Sequence, residues 1–287
     1  MIQNTLNRRF FLQSCAAAAV GNGVVSGGPG LTGKIKIAVK YHMIDEPDLT
    51  VEEKFTLLRK IGFDGLEFKT KEKVDWVEVE KAIQTTGLPV HGIVNAGDTE
   101  ISPAIETAHR LGAESVLVFA ATQKNLSYEE NFKFWQEQVQ GVLPLAQEKN
   151  ITICIENVRA SFLNRAEEMA RFIDSFQTDS VRSYFDLGNT ITWSEQSAQH
   201  WAEVLGERFF KLDIKDRGHP VFGDAKLKKP GAQGTNGGEV HWQKVRQILV
   251  AENFSGWATA EVAGGNRARL AGIAEWMKDV LDLKSQD

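Results

Sequence analysis

The sequence predicts a single (β/α)8 TIM barrel preceded by an export signal, and three observations carry that expectation. Short apolar runs alternate with amphipathic stretches from Lys34 onward. The apolar runs number eight. Roughly 250 residues shared among them leave about 30 for each unit, the size of one strand and its returning helix. Such alternation builds a parallel sheet, because every helix carries the chain back to the edge where the next strand begins.

The strands are expected at Ile35–Val39, Gly65–Phe68, Leu88–Ile93, Ser115–Phe119, Ile151–Ile155, Arg182–Phe185, Phe209–Ile214 and Gly256–Ala260, most of them β-branched or aromatic in composition. The clearest helix runs from about Tyr128 to Lys149. There Phe132, Trp135, Val139, Val142 and Ala146 recur at spacings of three and four and form one apolar stripe, while Pro144 predicts a kink. Another helix covers about Arg165 to Phe176, with Ala166, Met169, Ala170 and Ile173 on one face and Asn164 as its N-cap. Gly62, Gly87 and Gly112 each fall just after a helix, where a left-handed residue ends it. The stretch from about Asn266 to Leu283 forms the eighth helix. No G-x-G-x-x-G follows the first strand and no Walker loop is present, which counts against a doubly wound open sheet. Residues 216–240, rich in Gly and Lys and without periodicity, read as a long loop after the seventh strand, either a cover for the barrel mouth or a solvated insertion.

Composition narrows the function. With 287 residues, 42% hydrophobic and 25% charged, the chain can bury a sizeable core without disulfides. Thirty-three Lys and Arg against 38 Asp and Glu leave a net charge of −5 and no basic footprint, so no nucleic acid partner is expected. Two cysteines, Cys15 and Cys154, exclude a disulfide framework and a cysteine-rich zinc site. No apolar run is long enough for stable membrane insertion. Residues 7–20, NRRFFLQSCAAAAV, look like a twin-arginine signal: Arg8-Arg9, then Phe10-Phe11-Leu12, then small residues suited to cleavage at Ala17-x-Ala19. Leu12-Gln13-Ser14-Cys15 faintly resembles a lipoprotein box, but most of the apolar run follows the cysteine instead of preceding it, so lipidation is not expected. Residues 1–33 are read as signal and flexible lead, residues 34–287 as the barrel, and the mature protein as periplasmic or secreted.

Active sites of such barrels lie at the C-terminal ends of the strands, which makes the polar residue closing each apolar run informative. The last four runs close on acid: Glu156, Asp186, Asp213 and Glu261. Any one of them could be a strand-end cap. Four on consecutive strands converge on one mouth and repel unless a cation or a proton lies between them. A divalent metal resolves this simply, and oxygen-only ligands favour Mn²⁺ or Mg²⁺, with Ca²⁺ next, over zinc.

The motifs ICIEN at 153–157, YFDLGN at 184–189, KLDIKD at 211–216 and TAEV at 259–262 resemble the sugar isomerase and epimerase barrels related to xylose isomerase, over about 34–283. The resemblance implies one divalent metal (Mn²⁺ or Mg²⁺, with Co²⁺, Zn²⁺ and Ca²⁺ as alternatives) held by Glu156, Asp186, Asp213 and Glu261. Asp213 stands where the family usually has His, which adds a negative charge that Lys215 could offset. The resemblance also implies that Glu156 and Glu261 act as acid and base on opposite faces of the substrate; a metal-bound carboxylate is a modest base, and Lys215 is the nearest candidate to tune it, a surface lysine being the competing reading. Glu67, His91, Asn157, Arg159, Asn189, His219 and His241 are expected as substrate contacts around the mouth; for His91 a satisfied core position is the competing reading.

The function implied is a metal-dependent isomerase or epimerase that removes a proton next to a carbonyl of a free sugar or keto-sugar through an enediolate. Export favours free sugars over sugar phosphates, and no phosphate-cradling glycine loop is visible. Two alternatives use the same mouth: a 3-keto-glycoside lyase or hydrolase, and a non-catalytic carbohydrate-binding barrel. The expected partner is a small carbohydrate; a homo-oligomer is compatible with the sequence.

Overall fold

Eight parallel strands close on themselves in a computed structural model that describes residues 30–216 and 239–283. They are β1 (Ile35–Lys40), β2 (Gly65–Lys69), β3 (Val90–Ala96), β4 (Ser115–Val118), β5 (Thr152–Glu156), β6 (Val181–Asp186), β7 (Phe209–Ile214) and β8 (Gly256–Ala260), each paired with its sequence neighbour, and β1 with β8. Residues 1–29, which hold the expected signal, and His219 lie outside the described residues. Several strands run further than the sequence suggested. The extension of β1 from Val39 to Lys40 and of β3 from Ile93 to Ala96 matters most, since both reach the mouth.

The helices that pack around the barrel are α1 (Val51–Ile61), α2 (Trp76–Thr86), α3 (Ser102–Leu111), α4 (Tyr128–Glu148), α5 (Ala166–Asp174), α6 (Leu187–Trp193), α7 (Ala198–Leu205), α8 (Trp242–Ala251) and α9 (Arg267–Leu281). Capping boxes start two of them, Thr50 with Glu53 at α1 and Ser127 with Glu130 at α4. Gly62, Gly87 and Gly112 end α1, α2 and α3 at φ of 100°, 66° and 70°. Pro144 lies within α4, which continues through it. The cap of α5 differs from expectation: Arg165, not Asn164, is the N-cap, because Glu168 Oε2 accepts from the backbone N–H of both residues. One unit carries two helices, α6 and α7, after β6.

The period of two along each strand sorts the side chains. Ile153 and Ile155, Phe185, Leu212 and Ile214, and Ala258 and Ala260 belong to one core cluster with helix residues such as Phe55, Leu58, Trp135, Trp201, Trp242 and Met277. Their neighbours in sequence form a separate interior set, where Leu117, Cys154 and Tyr184 cluster with Val94 and Phe210 packed against them. Glu156 shares the parity of Cys154, and Asp186 that of Tyr184, so the strand-end acids point inward by the same alternation that buries the outer core. Burial pushes the Cys154 thiol up to about 12, leaving it an inert apolar filler.

Asp216 joins the chain leaving β7 to the start of α8. Its Oδ1 accepts from the backbone N–H of Glu239 at 2.7 Å and of Val240 at 3.1 Å, and its Oδ2 from Trp242 Nε1 at 2.9 Å. Replacing it by Ala strands three donors. We expect Asp216→Ala to cost roughly 3 kcal/mol or more, read as a lower midpoint in urea unfolding; an unchanged midpoint would show that the clamp carries no stability.

Candidate active site

The four strand-end acids meet. Each of Glu156, Asp186, Asp213 and Glu261 offers a carboxylate oxygen within 4.8 Å of the others, and the first three are buried. Glu156 and Asp186 are the last residues of β5 and β6, Asp213 is the penultimate residue of β7, and Glu261 follows β8 directly. Asp186 has a second duty as the N-cap of α6, its Oδ1 accepting from Asn189 N–H at 2.8 Å.

Among the described residues, two ammonium groups hold this cluster. Lys215 Nζ lies 2.7 Å from Asp186 Oδ2 and 2.5 Å from Glu261 Oε2, so it reaches a glutamate it was expected to tune but pairs with Asp186 and not with Asp213. The other is Lys40, the residue gained by the extension of β1. Its Nζ is 3.0 Å from both Asp213 Oδ2 and Glu261 Oε1, with 3% of the side chain exposed, and it lies 5.9 Å from the centroid of the Tyr184 ring. The sequence reading missed it by ending the strand at Val39. The pairing of Val39 with Ala260 and of Lys40 with Glu67 puts Lys40 at the level of the acids, so a polar residue closing the first run was the available signal.

These contacts separate the two glutamates. Burial, then repulsion from Glu261, pushes the Glu156 carboxyl well above its usual range despite Lys40. Burial also penalises ionised Glu261, but Lys40 and Lys215 outweigh it and hold that carboxyl low. Desolvation is likewise outweighed at Lys40, where Asp213 and Glu261 keep the ammonium protonated. Burial raises Asp186 to about 7 against the pull of Lys215. Glu156 is therefore disposed to carry a proton and Glu261 to stay ionised.

The remaining expected contacts divide. Asn189 reaches the cluster, donating to Glu156 Oε1 at 3.3 Å and to Asn157 O at 2.9 Å. Asn157 is spent on backbone: it donates to Asp186 O and accepts from Asp186 N–H, both at 2.8 Å, and so ties β5 to β6 instead of facing a ligand. Glu67 lies buried beneath the mouth, its Oε1 accepting from Tyr184 Oη and from Thr259 Oγ1. His91 sits in the barrel interior and not at the mouth, stacked on Trp257 at 4.3 Å, with Nδ1 2.9 Å from Lys211 Nζ and Nε2 3.2 Å from Thr259 Oγ1. Burial and the Lys211 and Lys40 charges hold its pKa well below the usual imidazole range. Arg159 is exposed on the loop after β5, and His241 is exposed at the N-cap of α8.

The donor set fits a hard divalent cation. Asp186 Oδ2 is met by Lys215 at 2.7 Å, whereas Asp213 Oδ1 is buried with no hydrogen-bond partner among the described residues, so an all-oxygen cluster holds a carboxylate oxygen left to be satisfied.

The family model for the xylose isomerase-like TIM barrel matches residues 55–280, and the chain belongs to that family. Solved structures share its fold. The 3-keto-D-glucoside 4-epimerase YcjR from E. coli is 19% identical, with a TM-score of 0.69 over 86% of this chain and 100% of its own. The D-allulose 3-epimerase from Methylomonas sp. in complex with D-allulose is 15% identical, with a TM-score of 0.68 over 86% and 97%. The IolI protein with a bound zinc atom is 17% identical, with a TM-score of 0.69 over 88% and 100%. No curated protein matches the sequence significantly.

Gly188 makes room for Lys215. A Cβ on Gly188 would lie 2.1 Å from Lys215 Cγ and 2.7 Å from its carbonyl oxygen, so the first turn of α6 and the end of β7 approach only because no side chain intervenes. We expect Gly188→Ala to cost about 1–3 kcal/mol and to pull Lys215 from the acids. Thermal unfolding measures the first effect and a crystal structure the second; wild-type stability with Lys215 in place would refute this.

Proposed function

We propose that the protein is a divalent-metal-dependent sugar isomerase or epimerase that removes a proton next to the carbonyl of a free sugar or keto-sugar. The observation that carries this is the convergence of Glu156, Asp186, Asp213 and Glu261, each offering a carboxylate oxygen within 4.8 Å of the others. A metal held by Glu156, Asp186, Asp213 and Glu261, Mn²⁺ or Mg²⁺ by donor chemistry, would supply positive charge where enediolate oxygens develop. The chain's own groups do the rest. Glu261, kept ionised by Lys40 and Lys215, takes the proton from carbon. Glu156, the other glutamate of the cluster, returns one. Asn189 orients Glu156, and Lys215 shields Glu261 without neutralising it. The similarity to epimerases of 3-keto-glucoside and of allulose supports a keto-sugar substrate.

The test is hydrogen exchange in D₂O, followed by NMR, with D-fructose, D-allulose and a 3-keto-glucoside, after EDTA treatment and after return of Mn²⁺. Metal-dependent uptake of deuterium next to the carbonyl is expected. Glu156→Gln and Glu261→Gln should each lower it by about 10²–10⁴-fold. Expulsion of the C1 group from the 3-keto-glucoside would move the assignment to a lyase, and sugar binding without exchange would falsify the enzyme reading.

We further infer export through the twin-arginine pathway, on Arg8-Arg9 and the Ala-rich stretch after them. Changing Arg8 and Arg9 to Lys should leave the chain in the cytoplasm, and undiminished export would sink the inference.

A further inference from the structure

Lys40 reaches two of the four clustered acids at once, with its ammonium 3.0 Å from Asp213 Oδ2 and 3.0 Å from Glu261 Oε1. It comes from the strand opposite in sequence to the acids, brought there by closure of β1 against β8. An ammonium this deeply buried is tolerated only where carboxylates surround it, and removing it leaves their charges uncompensated. Among the described residues, four carboxylates face two ammonium groups, so with every carboxyl ionised, as metal ligands would be, the formal excess is two negative charges, the charge of one divalent cation. Asp213 divides itself accordingly: Oδ2 is taken by Lys40, while Oδ1 is buried and unpartnered. A neutral imidazole at position 213 would need no such counter-charge, so Lys40 and Asp213 read as a matched pair.

We propose that Lys40 is the resident counter-cation of this cluster, a positioning residue that holds Asp213 and Glu261 together in the metal-free barrel and competes with a divalent metal for them. Its second half rests on the metal reading above. Lys40 thereby sets metal affinity: the site keeps its shape when empty, and a cation must gain more from Asp213 and Glu261 than the ammonium does.

The test compares the wild type, Lys40→Met and the double variant Lys40→Met with Asp213→Asn, each stripped with EDTA and desalted. Binding of Mn²⁺ alone is followed by loss of the free-ion EPR signal, and thermal unfolding is recorded in EDTA and in Mn²⁺. Lys40→Met should melt several degrees below wild type in EDTA, yet bind Mn²⁺ at least tenfold more tightly and recover its melting temperature with the metal. A purely structural lysine would give the opposite change in affinity. The double variant restores the formal charge of the wild type, so its Mn²⁺ affinity should return to within a few-fold of wild type. It carries the affinity test even if Lys40→Met does not fold, and a tenfold departure in either direction overturns the pairing. Equal or weaker Mn²⁺ binding by a folded Lys40→Met overturns the competition. If no protein binds Mn²⁺, the metal reading fails and the competition fails with it. The EDTA melts then judge the counter-cation separately, since coincident wild-type and Lys40→Met curves overturn that too.

Discussion

Carboxylates within 4.8 Å of one another, three of them buried, repel unless positive charge is built in among them, and much of the architecture around the mouth serves that requirement. One ammonium comes from β1 and reaches the acids because the barrel closes between β1 and β8. The other comes from the residue after β7 and reaches them because α6 begins with a residue that has no side chain at 188. Asp186 adds a third support, capping α6 with one oxygen while facing Lys215 with the other. Barrel closure, the backbone approach at Gly188 and the helix cap therefore act on the same few charges, so a change in any of them reaches the others.

The unequal treatment of the two glutamates follows from where the ammoniums sit. Both touch Glu261, one at each carboxylate oxygen, whereas Glu156 receives a neutral amide from Asn189. A symmetric distribution would have left two similar carboxyls and no preferred direction for a proton. Asp213 completes the asymmetry, since its Oδ2 shares the Lys40 ammonium with Glu261, each at 3.0 Å.

The barrel and its acids were legible in the sequence because both are periodic. Alternation of two along a strand shows which residues face inward, and an acid closing four consecutive strands is visible without coordinates. Lys40 was not, because it closes a run already rich in lysine, IKIAVK, and its significance comes from the pairing of the first strand with the last, a contact between residues more than 200 apart in sequence. His91 and Asn157 failed differently. His91 lies near the start of β3, which runs on to Ala96, so the mouth is several residues further along than the expected strand end at Ile93 implied. Asn157 immediately follows the acid of β5, and the parity that turns Glu156 inward leaves its neighbour to pair with the backbone of β6.

Beneath the mouth the interior departs from the apolar layers that usually fill such barrels. Glu67, Tyr184, Thr259, His91 and Lys211 form a connected polar column, which ends at Glu114 on the face opposite the mouth, where Lys211 Nζ lies 3.2 Å from its carboxylate. Such a column contributes little net stability compared with close-packed aliphatic side chains, and the outer cluster between strands and helices supplies that instead. What the column provides is fixed geometry. Tyr184 has Oη held by Glu67 and Thr259 while its ring lies under Lys40, so the floor on which the resident cation rests is set by directional bonds. An apolar floor of the same volume would pack as well but would leave the ammonium without that orientation, and the position of Lys40 decides which carboxylates stay charged.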